Sequence, residues 1–367
     1  MNRMNNRTPR LAAFGLMLVA IAACTKTDIK PNDDLANGLN PSSGAPIAFE
    51  TKDAFSKAVI EDIYDLQQDG NKFLVWSWFQ GTTAGPMFTD KGTEVKYGQT
   101  TGWTYEQTRY WLNGTYDFAA VYPSTVSGEY KPAQTGGTPV LTVKDFDVTN
   151  QDDLLVAFNN GPDGNGIDGS LGNANNPVEL KFQHALTRIN FKITQSSEDA
   201  ENDYYVTGVE LTGVVKKRTY TVTPSIIETG AGNEIILNGA WTPSKEGNEE
   251  TAAFENSFDP VHLRSDDGEF THVYGWGDDG LLLIPQEIEG QISIRVFYRY
   301  DLLGDADGNG TATYSDFVIP NYTNYQWQAG KRITYIIPLA HQMDIVIGAP
   351  TIEPWTDPQP GGTVIIK

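Results

Sequence analysis

The chain has 367 residues, 39% of them hydrophobic and 11% aromatic, and its 47 acidic against 26 basic side chains give a formal net charge of −21. That balance disfavours nucleic acid and anionic lipid surfaces as partners, while the apolar fraction is enough for substantial cores. A single cysteine, Cys24, excludes an internal disulfide and a thiolate zinc site, and at this length two domains are the natural expectation.

Residues 1–23 read as a secretory signal. Arg3, Arg7 and Arg10 stand among the first ten residues without an acid, and Leu11 to Ala23 is then free of charge. The apolar run is shorter than the about 20 residues a helix needs to cross a hydrocarbon core, and small residues precede the break. Ile21-Ala22-Ala23-Cys24 resembles a bacterial lipobox, in which the peptidase cuts before a Cys whose sulfur carries diacylglycerol. On that reading Cys24 is the lipidation site, and several acyl chains on one residue hold a bilayer firmly. The competing reading, a plain signal with a spare thiol, requires a free exposed cysteine in a secreted chain, which is unusual. Without the signal 23 basic residues face 47 acidic ones, a net charge of −24.

Residues 24–45 are polar and rich in Asn, Asp, Pro and Gly, with too little apolar surface to fold alone, and read as a flexible tether. From residue 46 short aromatic and β-branched runs alternate with Gly, Asn, Asp and Pro, the punctuation of strands and turns. PIAFE, NKFLVWSWF, TYDFAAVYP, TPVLTVKDF, VELKF, LTRINFKIT, YYVTGVELTGVV, LLLIP, ISIRVFYRY and KRITYIIPL are such runs. In ISIRVFYRY, Ile292, Ile294, Val296 and Tyr298 share one face, the period of two of a half-buried strand. Lys52 to Leu66 is the best helical candidate, through Phe55, Val59, Ile63 and Leu66, although it could equally hold a strand end and a short helix. The fold class is all-β: two antiparallel β-sandwich domains in tandem, at 46–180 and 181–367, with the boundary after the nearly apolar-free stretch 159–176. Gly164, Gly166 and Gly169 within that stretch match a dinucleotide fingerprint by letter, but no helix follows to face a phosphate.

Several runs, in this order, resemble the fimbrillin family of Bacteroidetes, lipoprotein precursors of type V pilus subunits. They are FLVWSWF, Trp103 with YWLNGTYDFAAVYP, DDLLVAF, the central VELKFQHALTRINFKIT with Phe182, His184, Ala185, Leu186 and Ile189, and the closing WQAGKRITYIIPL and IEPWTD. The resemblance implies transthyretin-like or Ig-like sandwiches, export as an acylated precursor to the outer membrane and the cell surface, and a structural or adhesive role without catalysis. It also implies a mode of assembly: a protease removes the N-terminal strand, and a strand from another fimbrial subunit fills the groove. Main-chain hydrogen bonds would then give affinity and alternate side chains register.

On this scheme the chain's own strand is Pro46 to Glu50 or a little more. The donor is TVIIK at 363–367, with Val364 and Ile366 on one face and Ile365 on the other; alternatively TVIIK completes the sheet of its own domain. The first Arg after Cys24 is Arg109, deep in the first domain, so an Arg-directed cut would miss the expected place. Lys52 or Lys57 would serve a Lys-directed protease, or the subunit stays uncut as a lipid-retained anchor.

One acidic turn has ligand spacing. In DADGNGTATYSD, Asp305, Asp307, Asn309, Thr311, Thr313 and Asp316 occupy calcium-loop positions around Gly310, with Asp at the last position and Ala312 where an apolar residue usually packs. The choice is between a calcium site and a plain Asp/Gly turn capping a hairpin. His184, His262, His272 and His341 are scattered in no catalytic spacing, and His184 is expected to satisfy backbone groups at the domain junction. Trp76, Trp78, Trp103 and Trp111 are expected in sandwich packing and Trp276 in a loop; an exposed aromatic platform would instead favour a monomeric glycan- or matrix-binding surface lipoprotein. A host or bacterial surface ligand is expected for an adhesive role.

Overall fold

The computed structural model describes residues 41–367 except 53–65, 82, 134–136, 172–176, 230–231, 245–248, 266, 303–309, 322–325, 341–346, 348 and 355–367. The first strands in chain order are β1 (Pro41–Pro46), β2 (Phe49–Lys52), β3 (Lys72–Gln80), β4 (Gly85–Pro86), β5 (Thr93–Gly98), β6 (Gly102–Tyr105), β7 (Tyr110–Leu112), β8 (Thr115–Tyr122), β9 (Ser127–Lys131) and β10 (Val140–Asp147). There follow β11 (Leu155–Asn159), β12 (Ile167–Asp168), β13 (Val178–Lys181), β14 (Gln183–His184), β15 (Thr187–Gln195), β16 (Asn202–Val215), β17 (Lys217–Thr229) and β18 (Gly232–Pro243). The chain continues through β19 (Thr251–His262), β20 (His272–Tyr274), β21 (Leu281–Leu283), β22 (Ser293–Leu302), β23 (Thr311–Val318), β24 (Lys331–Leu339) and β25 (Thr351–Pro354). Short 3-10 turns are the only helical elements with described bounds. Most of the helical candidate, 53–65, lies outside the described residues, and Leu66 at its end is fully buried.

The all-β expectation holds. An eight-stranded sheet runs β14-β11-β8-β3-β5-β6, with β12 on β8 and β4 on β3. Its central strands are apolar on both faces because each face has its own core. Phe73, Val75, Phe118 and Ala120 enter one core, while Trp76, Ala119 and Val121 enter the other. Continuous runs such as FAAVY are what such doubly covered strands require. Among the described residues the first core draws only on residues 47–182. The second is shared: Leu141, Val143 and Val156 meet Ile189, Phe191, Val209, Ile294 and Tyr335.

β22 buries Ile294, Val296 and Tyr298 in strict alternation, as its sequence requires, and with β16, β19 and β23 it forms one sheet of the second half. The facing sheet runs β20-β15-β24-β25, with β21 beside β15. Two ladders depart from a purely antiparallel arrangement: β13 pairs with β2 in parallel, and β15 with β24. The hairpin β17–β18 leaves the second half to pair β17 with β10, so a four-stranded sheet β18-β17-β10-β9 crosses the position at 180.

Candidate functional site

The leading strand is built into the first core. Its alternation is literal: Ile47, Phe49 and Thr51 are buried, while Pro46, Ala48 and Glu50 are half-exposed. Phe49 fills an aromatic box, edge-on to Phe73 at 6.3 Å, Tyr105 at 5.6 Å and Phe118 at 6.0 Å, with Phe88 tilted at 6.0 Å. Burying Phe or Ile in this way contributes about 1.5–3 kcal/mol each. The polar groups around the strand are matched to it. Tyr105 donates its hydroxyl to the Ile47 carbonyl at 2.8 Å and accepts from the Arg109 N–H at 3.2 Å. Burial pushes the Tyr105 hydroxyl pKa up, so it stays a donor at neutral pH. Thr51 Oγ1 accepts from Trp103 Nε1 at 3.3 Å and from Gln67 Nε2 at 3.1 Å.

The main chain is held on both sides. β1 pairs antiparallel with β7, with a register shift between Pro41 and Pro46, and Ile47 N–H donates to Arg109 O at 2.8 Å. β2 then turns to the other side and runs parallel to β13, Phe49 opposite Val178 and Glu50 opposite Glu179, while Val178 N–H donates to Ala48 O at 2.7 Å. β13 has β2 as its only ladder neighbour among the described residues. A chain without residues 41–52 would therefore present an open strand edge above an aromatic trough, the surface that an added β-strand recognises.

The other candidate residues are placed as follows. Lys52 ends β2 opposite Lys181. Cys24, Lys57, Val364, Ile365 and Ile366 lie outside the described residues, and β25, paired on β24, is the last described strand. Arg109 is half-buried in the wall of the groove and donates Nε to Met87 O at 3.0 Å, so this first arginine is part of the seat. Of the acidic turn, Asp305, Asp307 and Asn309 lie outside the described residues, while Thr311, Thr313 and Asp316 are spread along β23 opposite Tyr300, Tyr298 and Arg295. Asp316 grips Arg295 with both oxygens at 2.7 and 3.0 Å, which holds its carboxyl below the usual range. Among the described residues no three His, Cys, Asp or Glu side chains converge as a metal group.

At the junction His184 Nδ1 lies 2.9 Å from the buried Asp153 Oδ2. Trp76 and Trp111 are buried, Trp103 packs edge-on to Phe73 at 4.8 Å, and Trp276 lies in a turn against Phe191 at 5.9 Å. The sequence pattern announced the inward face of the leading strand, but nothing in it announced the parallel partner, which lies about 130 residues downstream in the ladder Phe49–Val178.

An all-β, multi-sheet protein whose first strand is a separate insert in an aromatic groove is the class that fold and site define. The chain belongs to the fimbrillin-like family, whose profile matches residues 62–355. The fold is shared with a fimbrial protein from Bacteroides vulgatus, at 16% identity over 85% of this chain and 99% of that one, with a TM-score of 0.51. Structures described as cell adhesion proteins from Bacteroides ovatus and Bacteroides uniformis are similar at 14% and 15% identity, covering 88% and 85% of this chain and 99% and 98% of theirs, with TM-scores of 0.46 and 0.40. No curated protein matches the chain.

Proposed function

We propose that the protein is a structural or adhesive subunit of a cell-surface fimbrium, not an enzyme. It would be exported as a precursor acylated at Cys24, held in the outer membrane, and assembled with other fimbrial subunits by strand exchange after an N-terminal cut. The single observation behind this reading is the leading strand, which buries Ile47, Phe49 and Thr51 and whose strand ladders, among the described residues, run to β7 and β13 alone. It can be withdrawn as a unit. Withdrawal exposes apolar pockets at alternate positions and the free edge of β13, which a strand from another subunit, such as residues 363–367, would fill.

Proteolysis is the switch in this scheme. Lys52 lies inside a ladder, and proteases read extended, unpaired chain, so cutting at Lys52 requires β2 to open, whereas a cut at Lys57 requires no opening of β2. Either cut would free the insert. Residues 46–180 and 181–367 would form two sandwich units, interlocked by the β17–β18 hairpin. Calcium in the 305–316 turn would stiffen the β22–β23 hairpin; with Asp316 held by Arg295, the cation would depend on oxygens from the first half of the turn. A melting temperature indifferent to chelator removes calcium.

The deciding experiment is limited digestion of purified mature-length protein with a trypsin-like protease, followed by sizing. The reading predicts a ladder of oligomers that appears only after an N-terminal cut. Persistent monomers that bind glycan would favour the monomeric surface lipoprotein instead.

A further inference from the structure

Away from the leading strand, a cavity of about 320 Å³ lies where the β17–β18 hairpin crosses onto the eight-stranded sheet. Tyr220, Leu237 and Trp241 of the hairpin form one wall, Gln183 and His184 of β14 the other, and Gln328 stands at the rim. Trp241 is tilted by 39° against Tyr220 at 4.7 Å and backed by Phe146 at 6.2 Å, and its Nε1 donates to Ala185 O at 3.2 Å, so the ring is held from two sides. The glycine at 239 is required here: a Cβ would collide with the Tyr220 hydroxyl. His184 Nδ1 lies 2.9 Å from Asp153 Oδ2.

The geometry points to this cavity as a binding site for one neutral sugar ring, either a free monosaccharide or the terminal residue of a glycan. The chemistry of the lining selects that class. Aromatic rings offer faces to the C–H side of a pyranose, while amides and an imidazole offer paired donors and acceptors to its hydroxyls. Among the described residues no Lys, Arg, Asp or Glu lines the cavity, so an anion would find no counter-charge from them. A purely apolar ligand would set hydrocarbon against Gln183, His184 and Gln328. The volume is near the lower end of ligand pockets, roughly 300 Å³, which suits one ring and not an extended chain. The site would give the adhesive half of the proposed function a ligand and rests on that reading only for its biological setting.

Binding is read on the uncut, unassembled chain, so its failure leaves polymerisation untouched. Methyl glycosides of neutral hexoses are titrated into mature-length protein and followed by tryptophan fluorescence and by saturation-transfer NMR. Saturable millimolar binding of at least one glycoside is expected, weakened roughly tenfold by Trp241→Ala and several-fold by Gln328→Ala, which sits on the exposed rim and does not disturb folding. An array of immobilised oligosaccharides then separates the two sources: binding of terminal residues marks a glycan, binding of free glycosides alone marks a monosaccharide. No saturable response to any neutral hexoside, or a response equal in wild type and both variants with the fold intact, overturns the proposal.

Discussion

Phe49 shows how much of the site one side chain carries. It touches Phe73, Phe88, Tyr105 and Phe118 at once, so Phe49→Ala empties a box whose walls belong to four different segments and cannot collapse together. A loss of about 3–5 kcal/mol in the seating of the strand is expected, seen as faster release of the N-terminal segment under limited proteolysis. Tyr105→Phe removes both the donor to Ile47 O and the acceptor of the Arg109 N–H and is expected to cost about 2 kcal/mol. Asp117 works in the opposite sense. It is buried in β8, and burial pushes its pKa up to about 6, offset only in part by a hydrogen bond from Gln80. The unfolded carboxyl titrates near ~3.9, so between there and pH 6 the folded state binds more protons and stability falls as pH rises. The penalty is complete above pH 6 and absent below about pH 4. Asp117→Asn is therefore expected to stabilise the protein by on the order of 1–2 kcal/mol at pH 7.5 and to be neutral at pH 4, as read from thermal melts at the two pH values.

At the scale of elements, the parallel ladder between β2 and β13 makes the leading strand both secure and removable. Glu50 and Glu179 stand directly opposite on the half-exposed face, and neighbouring strands lie about 4.8 Å apart, within reach of a disulfide. Glu50→Cys with Glu179→Cys, in a chain carrying Cys24→Ala, is expected to lock the strand. Under oxidising conditions the protease-treated protein should remain monomeric, and added reductant should restore assembly; oligomers forming in the oxidised state would show that assembly uses another edge. The inward residues of this strand were legible because P-I-A-F-E-T-K alternates with period two. Its partner was not, because a parallel ladder joins segments that no turn connects, and V-E-L-K carries no mark of which neighbour it takes. The same limit hid the cavity: Trp241 and His184 are 57 positions apart, and only the crossing of the hairpin brings them together. Period two in ISIRVFYRY, by contrast, gave the burial of β22 residue by residue, since one face of that strand meets a core and the other does not.

At the scale of the molecule, the decisive feature is that one core is private and the other is shared. Among the described residues the aromatic core around the leading strand is closed by residues 47–182, whereas the other core needs Leu141, Val143 and Val156 from the first half together with Ile189 and Val209 from the second and Tyr220 and Val222 from the β17–β18 hairpin. β10 holds that hairpin through pairs from Leu141–Val222 to Asp147–Lys217. Cutting between 180 and 181 leaves one half with an uncovered sheet face, Trp76, Ala119 and Val121 among it, and the other half with a hairpin that has lost the sheet it pairs with. Exposed apolar faces of that kind associate. Residues 46–180 and 181–367 expressed singly are therefore expected to aggregate, and the two pieces produced together to co-purify in equal amounts with one cooperative melt. A monodisperse 46–180 fragment that melts cooperatively by itself would place the structural boundary at 180 and reduce the hairpin to a surface contact. The expected outcome ties withdrawal of the leading strand to the private core alone, so the shared core and its cavity keep their shape while the groove empties.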